Sequence, residues 1–396
     1  MKNVKLKIVN TLVKNIIEKV KKEGDFAISY FTKKYDGIEL SPSNFKISEK
    51  EIDAAVKNTD KDFLNAVKQA KNNIQIFQKK IFPKSTVIKK TGILLKHIFS
   101  PIEKVGIYVP GGRFSYPSTI LMTAVPAKIA GVKKIVMVSP PKNLTKDVIA
   151  AAKICGVDEI YRIGGVQAIA ALTYGTKIIP KVDKIVGPGN VFVTLAKRQV
   201  FGDVGIDMLA GPSEVLIIAD DTANPDFIIS DLSAQCEHDK NARATLISVS
   251  GKLLKIVKNK ISGYKTQIKI IRVRNIEQAI KIANEIAPEH IEIMTKNADN
   301  VSRKIRNAGA VFIGNYSPVA VGDYFAGPSH VLPTSGNSRF SSGLSVYHFL
   351  KSSSVIQYDK SALKKSAKKI IKLAESEGLV EHAKSVKVRT LNHLVN

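Results

Sequence analysis

The chain has 396 residues, 44% of them hydrophobic, and 61 Lys and Arg against 34 Asp and Glu give it a formal net charge of +27. Near-zero mean hydropathy, with no apolar run near the roughly 18 residues a bilayer span needs, excludes a helical membrane protein and allows more than one core. The amino terminus lacks a signal peptide's apolar centre and cleavage site, so a soluble cytoplasmic protein is expected, and two cysteines outside any Cys-x-x-Cys pair, Cys155 and Cys236, exclude a disulfide framework.

In chain order, Val9, Leu12, Val13, Ile16, Ile17 and Val20 recur at helical spacing, stop at Gly24, and give way to a second helix from Asp25 towards the turn Asp36-Gly37. Ser48-x-x-Glu51 is a capping box opening a third helix. A fourth runs through Phe63, Val67, Ala70, Ile74 and Phe77 and ends before Pro83, so residues up to about Phe99 are expected to be mostly helical. From Val105 the texture changes to short β-branched runs, each meeting a Gly or Pro turn and then a helical pattern, as βαβ units do. The expected strands are Val105–Val109, Lys134–Ser139, Glu159–Ile163 and Lys184–Val186, then Val215–Ala219, Thr245–Val249, Ile270–Val273, Ile291–Met294 and Ala310–Ile313. Two α/β sheets account for them. After Ser352 a Lys-rich helix, Ser361 to Glu375, is expected to lead through Gly378 into an extended end.

The charge alone would point to nucleic acid or an acidic membrane surface. Its distribution does not, because lysines such as Lys364, Lys365, Lys368 and Lys369 stud helices without interleaved aromatics. A solvated surface is the better reading.

Four of the seven histidines, His238, His290, His330 and His382, lie beside carboxylates or carboxamides in segments punctuated by Gly or Pro. Gln235 and His238, three apart on a predicted helix, project about 60° apart and can reach one ion, while Cys236 points elsewhere. Taken singly, His238 also fits a hydrogen-bonded helix-end histidine. Asp323 and His330 fall in Gly322-Asp323-Tyr324 and Gly327-Pro328-Ser329-His330, read as a rigid loop; a nitrogen- and oxygen-rich shell of Asp323, His238, Gln235 and another imidazole suits Zn²⁺ better than Ca²⁺, although Asp323 also fits a simple turn-former. Glu289-His290 after Pro288 can be tuned apart into two proton acceptors, or can be a structural ion pair. The turns Pro110-Gly111-Gly112, Gly164-Gly165 and Gly187-Pro188-Gly189-Asn190 close strands where backbone amides could receive a pyrophosphate. None matches G-x-G-x-x-G.

Taken together, Gly106-Ile107-Tyr108-Val109-Pro110-Gly111-Gly112, the run Arg162 to Leu172, Val186-Gly187-Pro188-Gly189-Asn190, Leu209-Ala210-Gly211-Pro212-Ser213-Glu214 and Gly322-Asp323-Tyr324 resemble the histidinol dehydrogenase family, in its order and from the first helix to the end. The resemblance implies an intertwined homodimer of two incomplete Rossmann-like parallel-sheet domains with a helical amino-terminal region and a small carboxy-terminal appendage. It implies an α/β domain from residues 1–104 and 217–345 with the amino-terminal helices, a Rossmann-like dinucleotide-side domain at 105–216, and a dimer-exchange domain at 346–396. It implies oxidation of L-histidinol through L-histidinal to L-histidine, the last step of histidine biosynthesis, with two NAD⁺ and one Zn²⁺ per subunit. Gln235, His238, Asp323 and, from the partner subunit, His382 would bind zinc. Ser213, His330 and Glu377 would join Gln235, His238, His290, Asp323 and His382 around the substrate, with Glu377 also from the partner. Tyr108, Gln167 and Asn190 would touch NAD⁺, and Glu289 and His290 would be the acid–base pair.

The chain departs from the family pattern in a shortened amino-terminal extension, in Cys236 where a small Ala is common, and in the loop Arg113-Phe114-Ser115. Two rivals are a related zinc-dependent dehydrogenase of another amino or sulfonated alcohol, and a basic nucleic-acid-binding protein on the same scaffold. The first would reduce NAD⁺ with a different alcohol; the second would bind DNA or RNA with steep salt dependence.

Overall fold

Four helices open the chain: α1 (Lys2–Glu23), α2 (Asp25–Asp36), α3 (Glu49–Asn58) and α4 (Lys61–Lys80). The expected capping box starts α3: Ser48 Oγ accepts from the Glu51 amide at 3.3 Å and the Glu51 carboxylate accepts from the Ser48 amide at 2.9 Å. The computed structural model describes residues 2–111, 115–237, 240–261 and 267–390. It divides the chain into two units, Met1–Ile81 with Ile102–Phe349, and Phe82–Pro101 with Leu350–Asn396.

Past β1 (Thr86–Lys90) and β2 (Ile93–Pro101), the first βαβ series comprises β3 (Lys104–Tyr108), α5 (Pro117–Ala130), β4 (Lys134–Val138), α6 (Lys146–Cys155), β5 (Glu159–Tyr161), α7 (Gly165–Tyr174), β6 (Lys184–Val186), α8 (Val191–Val200) and β7 (Gly205–Ile206). The second comprises β8 (Glu214–Ala219), α9 (Pro225–Glu237), β9 (Arg243–Ser248), α10 (Gly251–Lys260), β10 (Ile268–Arg272), α11 (Ile276–Ile286), β11 (His290–Met294), α12 (Ala298–Ser302) and β12 (Ala310–Ile313), followed by the short helix α13 (Val319–Tyr324). Each series forms a five-stranded, wholly parallel sheet, ordered β5-β4-β3-β6-β7 and β10-β9-β8-β11-β12. Counted within each series the order is 3-2-1-4-5, the Rossmann order without its sixth strand. All nine expected strands are present, most with ends shifted by one or two residues; the central ones are almost unbroken apolar runs because both their faces are buried.

The amino-terminal helices, grouped above with the second sheet, bury Val13, Ile16, Ile17, Val20, Ile28 and Phe31 in one cluster with Ile169, Leu172, Val193 and Ala196 of α7 and α8 beside the first sheet. Helical periodicity shows that a face is apolar and not what will cover it. Residues 86–101, read as part of a mostly helical stretch, are strands: β1 and β2 pair antiparallel across Thr91-Gly92, and β13 (Leu350–Tyr358) pairs with the other edge of β2. The same unit carries α14 (Lys360–Ser376), capped by Asp359, and α15 (Val380–Thr390), a helix where an extended end was expected. No helix among the described residues is long and apolar enough to cross a membrane, and Cys155 and Cys236 are buried free thiols.

Candidate active site

The two sheets present opposite ends to chemistry. In the first, the expected glycine turns follow the carboxyl ends of β3, β5 and β6, on either side of the switch point between β3 and β6 where open α/β sheets bind ligands. They are packed on one another. Gly187 has φ +110°, and a Cβ there would lie 2.2 Å from the Tyr108 carbonyl oxygen; a Cβ on Gly164 would lie 2.5 Å from the Pro140 ring. Only glycine permits such approach. Lys197, itself buried, donates to the Gly187 carbonyl at 3.0 Å and to the Asp207 carboxylate, which in turn accepts from the Gly187 amide at 2.7 Å. Tyr108 is buried and its hydroxyl accepts from the Gly165 amide at 3.1 Å; desolvation raises its pKa to about 12, against the lowering effect of that hydrogen bond. Gln167 is buried in α7, and Asn190 caps α8 through the Phe192 and Val193 amides. Gly112 lies outside the described residues.

In the second sheet the acid–base candidates stand at the amino ends of the central pair β8 and β11. Seven residues, Asp207 to Ser213, join the end of β7 in the first sheet to the start of β8, and fully extended they span no more than about 25 Å. That segment is pinned at Ala210, whose carbonyl accepts from Thr194 Oγ1 at 3.0 Å, and at Gly211, whose amide donates to Thr334 Oγ1. A short, tethered connection therefore ties the carboxyl edge of one sheet to the amino edge of the other.

Glu289 is buried; its Oε2 accepts from the Glu214 amide at 2.9 Å and its carboxylate from the Ser213 hydroxyl. Desolvation holds its pKa well above the ordinary carboxylate value, with the negative charges of Asp323 and Glu214 adding to the effect. His290, also buried, has Nδ1 3.3 Å from the Glu214 carbonyl oxygen and 3.6 Å from Glu289 Oε2. A carbonyl can only accept, so the neutral ring carries its proton on Nδ1, and Nε2 is its basic atom. That atom lies 3.8 Å from Asp323 Oδ1.

Asp323 sits on the six-residue helix α13 and not on the loop expected from its flanking glycines. Burial raises its pKa to about 7. His330 Nδ1 donates to the Asp323 carbonyl at 3.0 Å, and Asn73 of α4 clips the intervening loop through the Phe325 carbonyl at 2.9 Å. Gln235 is buried on the last turn of α9, and its Nε2 has no hydrogen-bond partner among the described residues. The Tyr324 phenol feels the charges of both Asp323 and Glu237, which brings the end of α9 close to α13. His238 lies outside the described residues. Among those described, no three His, Cys, Asp or Glu side chains converge closely enough to hold a metal ion.

Ser213, Glu289, His290, Asp323 and His330 are thus brought together. Glu377 and His382 belong to the second unit, where both are exposed, Glu377 following α14 and His382 on α15. Three acids escaped sequence reasoning: the half-buried Glu214, and beneath the site the pair of half-buried Asp231 and fully buried Glu292. Glu292 leaves a signal in the sequence, a carboxylate inside the apolar run His290 to Met294.

Fold and site together define an α/β enzyme with two Rossmann-like sheets and a buried carboxyl–imidazole pair. The model of the family described as histidinol dehydrogenase matches residues 1–390. The histidinol dehydrogenase of Clostridium acetobutylicum is 48% identical over 95% of this chain and 91% of its own, and that of Methanocaldococcus jannaschii is 48% identical with the same coverage. The crystal structure of histidinol dehydrogenase from Elizabethkingia anophelis superposes with a TM-score of 0.91 at 37% identity, over 96% of this chain and 91% of that one. The chain belongs to the histidinol dehydrogenase family and is an oxidoreductase.

Proposed function

We propose that the protein oxidises L-histidinol through L-histidinal to L-histidine, completing histidine biosynthesis, with two NAD⁺ reduced per turnover. The observation that carries the reading is the His290 ring, held in one tautomer by the Glu214 carbonyl with the buried Glu289 carboxyl beside it.

In the first half-reaction His290 Nε2 takes the alcohol proton while hydride leaves the same carbon for the nicotinamide, giving aldehyde and NADH. In the second, water adds to the aldehyde. Glu289, whose raised pKa makes it a stronger base than an ordinary carboxylate, orients that water and takes its proton. The hydrated carbon then gives up its hydride to a second NAD⁺, and carboxylate forms. Ser213 keeps Glu289 in place through its hydroxyl, and His330 holds the substrate near the reacting carbon. Burial of the pair keeps bulk water off the intermediate.

Gln235, His238 and Asp323, with His382 of the partner subunit, would hold one zinc ion per subunit, and Glu377 of the partner subunit would contact substrate. The donor set fits. Rotating the Gln235 amide by half a turn puts its oxygen where a nitrogen now has no acceptor, and Asp323 adds a half-buried carboxyl to the imidazoles that zinc prefers. When bound, the ion would supply a fixed positive point on which the substrate's imidazole and amine are oriented. Tyr108, Gln167 and Asn190 would contact NAD⁺; in support, they lie on or beside three turns at the carboxyl edge of the first sheet.

Histidinol oxidation should yield two NADH per histidinol with zinc at one per chain. A yield of one NADH, or reduction of NAD⁺ by other alcohols and not by histidinol, would refute this reading.

A further inference from the structure

Glu292 lies at the centre of β11, fully buried, between Ile217 of β8 and Phe312 of β12 in register. It shares a face of the sheet with His290 and Met294, the face covered by α9. A carboxyl there is costly unless its oxygens are satisfied. One is: Oε1 accepts from the Val319 amide, the first of α13, at 2.9 Å. The same carboxyl also meets the Asp231 carboxyl of α9 in a side-chain hydrogen bond. Oε2 has no N–H or hydroxyl donor among the described residues, so this bond needs a proton held between the two acids, as close carboxyl pairs generally do.

The three elements tied by Glu292 are those that carry the site. Asp231 lies one turn before Gln235 on the same face of α9, Val319 lies one turn before Asp323 on α13, and His290 is two residues away on β11. We propose that Glu292, with Asp231, is a positioning residue that fixes the spacing of Gln235 and Asp323 and so sets the affinity and geometry of the cation site between them. The inference rests on the zinc site proposed above. Glu292 touches neither substrate nor ion; it acts through α9 and α13, as residues behind metal ligands generally do.

The test is zinc affinity by chelator competition and the visible spectrum of the cobalt-substituted protein, read alongside kcat and KM. Glu292→Leu loses the amide acceptor and the acid pair together, and its zinc affinity should fall about 10- to 100-fold, with an altered cobalt spectrum. Glu292→Gln retains an acceptor for Val319 and offers Asp231 an N–H, and should recover affinity to within about threefold and restore the spectrum. Should the leucine variant not fold, Asp231→Ala, on a partly exposed side chain, should still weaken zinc several-fold. A folded Glu292→Leu or Asp231→Ala protein with wild-type zinc affinity and spectrum overturns the inference alone. A wild-type protein that takes up no zinc, or holds it equally well after Asp323→Asn, overturns the metal reading itself.

Discussion

His290 and Glu289 are adjacent in sequence, yet the fold gives them different tasks by giving them different partners. The imidazole meets a carbonyl that selects its tautomer, and the carboxyl meets an amide and a hydroxyl that hold it in place. His290→Asn should lower kcat by about 10²- to 10⁴-fold, the range for a lost general base, with an unchanged unfolding midpoint; an activity loss under threefold would remove His290 from the chemistry. The Asp231–Glu292 pair makes a separate prediction about pH. Their pKa values are raised to about 6 and about 8 from 3.8 and 4.5, so between those limits the folded chain binds more protons than the unfolded one. Stability from this pair is therefore fully present below about pH 4 and is lost as pH rises towards 8. In metal-stripped protein the melting temperature should fall from pH 5 to 8 more steeply in wild type than in Glu292→Gln. Equal slopes would mean the pair is not protonated as described.

Among the elements, those that could be read from sequence owe their form to local causes. The Ser48–Glu51 box is such a case: Ser48→Ala should cost about 1 kcal/mol in chemical denaturation, and no loss would mean the cap contributes nothing. The parallel strands could also be read, because burial on both faces leaves a run such as Ile135 to Val138 no polar position. The strands β1, β2 and β13 could not. They are exposed or half-exposed and spend lysines and serines on solvent, so neither alternation nor an apolar run marks them, and Thr91-Gly92 was the one turn signal available. The site divides similarly. Glu289, His290, Asp323 and His330 stood out as polar residues among glycines and prolines, whereas Asp231 needs Glu292 beside it, a long-range pairing that one sequence does not display.

At the scale of the whole molecule, the proposed site draws Glu377 and His382 from a second copy, and mixing can test this. His290→Asn and His382→Asn chains, each inactive, refolded together should regain about a quarter of wild-type activity, since half the dimers are mixed and each of those has one intact site. If both residues come from one chain, mixing restores nothing.

The smaller unit is stitched from two distant stretches, Phe82–Pro101 and Leu350–Asn396, with β2 as the seam. A nonsense codon near residue 350 could not excise it cleanly. It would strand β1 and β2 as a lone hairpin, a form barely stable in water, with the bared rim of β2 open to β-addition by any neighbouring molecule. Carboxy-terminal shortening of this polypeptide thus yields sticky material in place of a trimmed catalytic core.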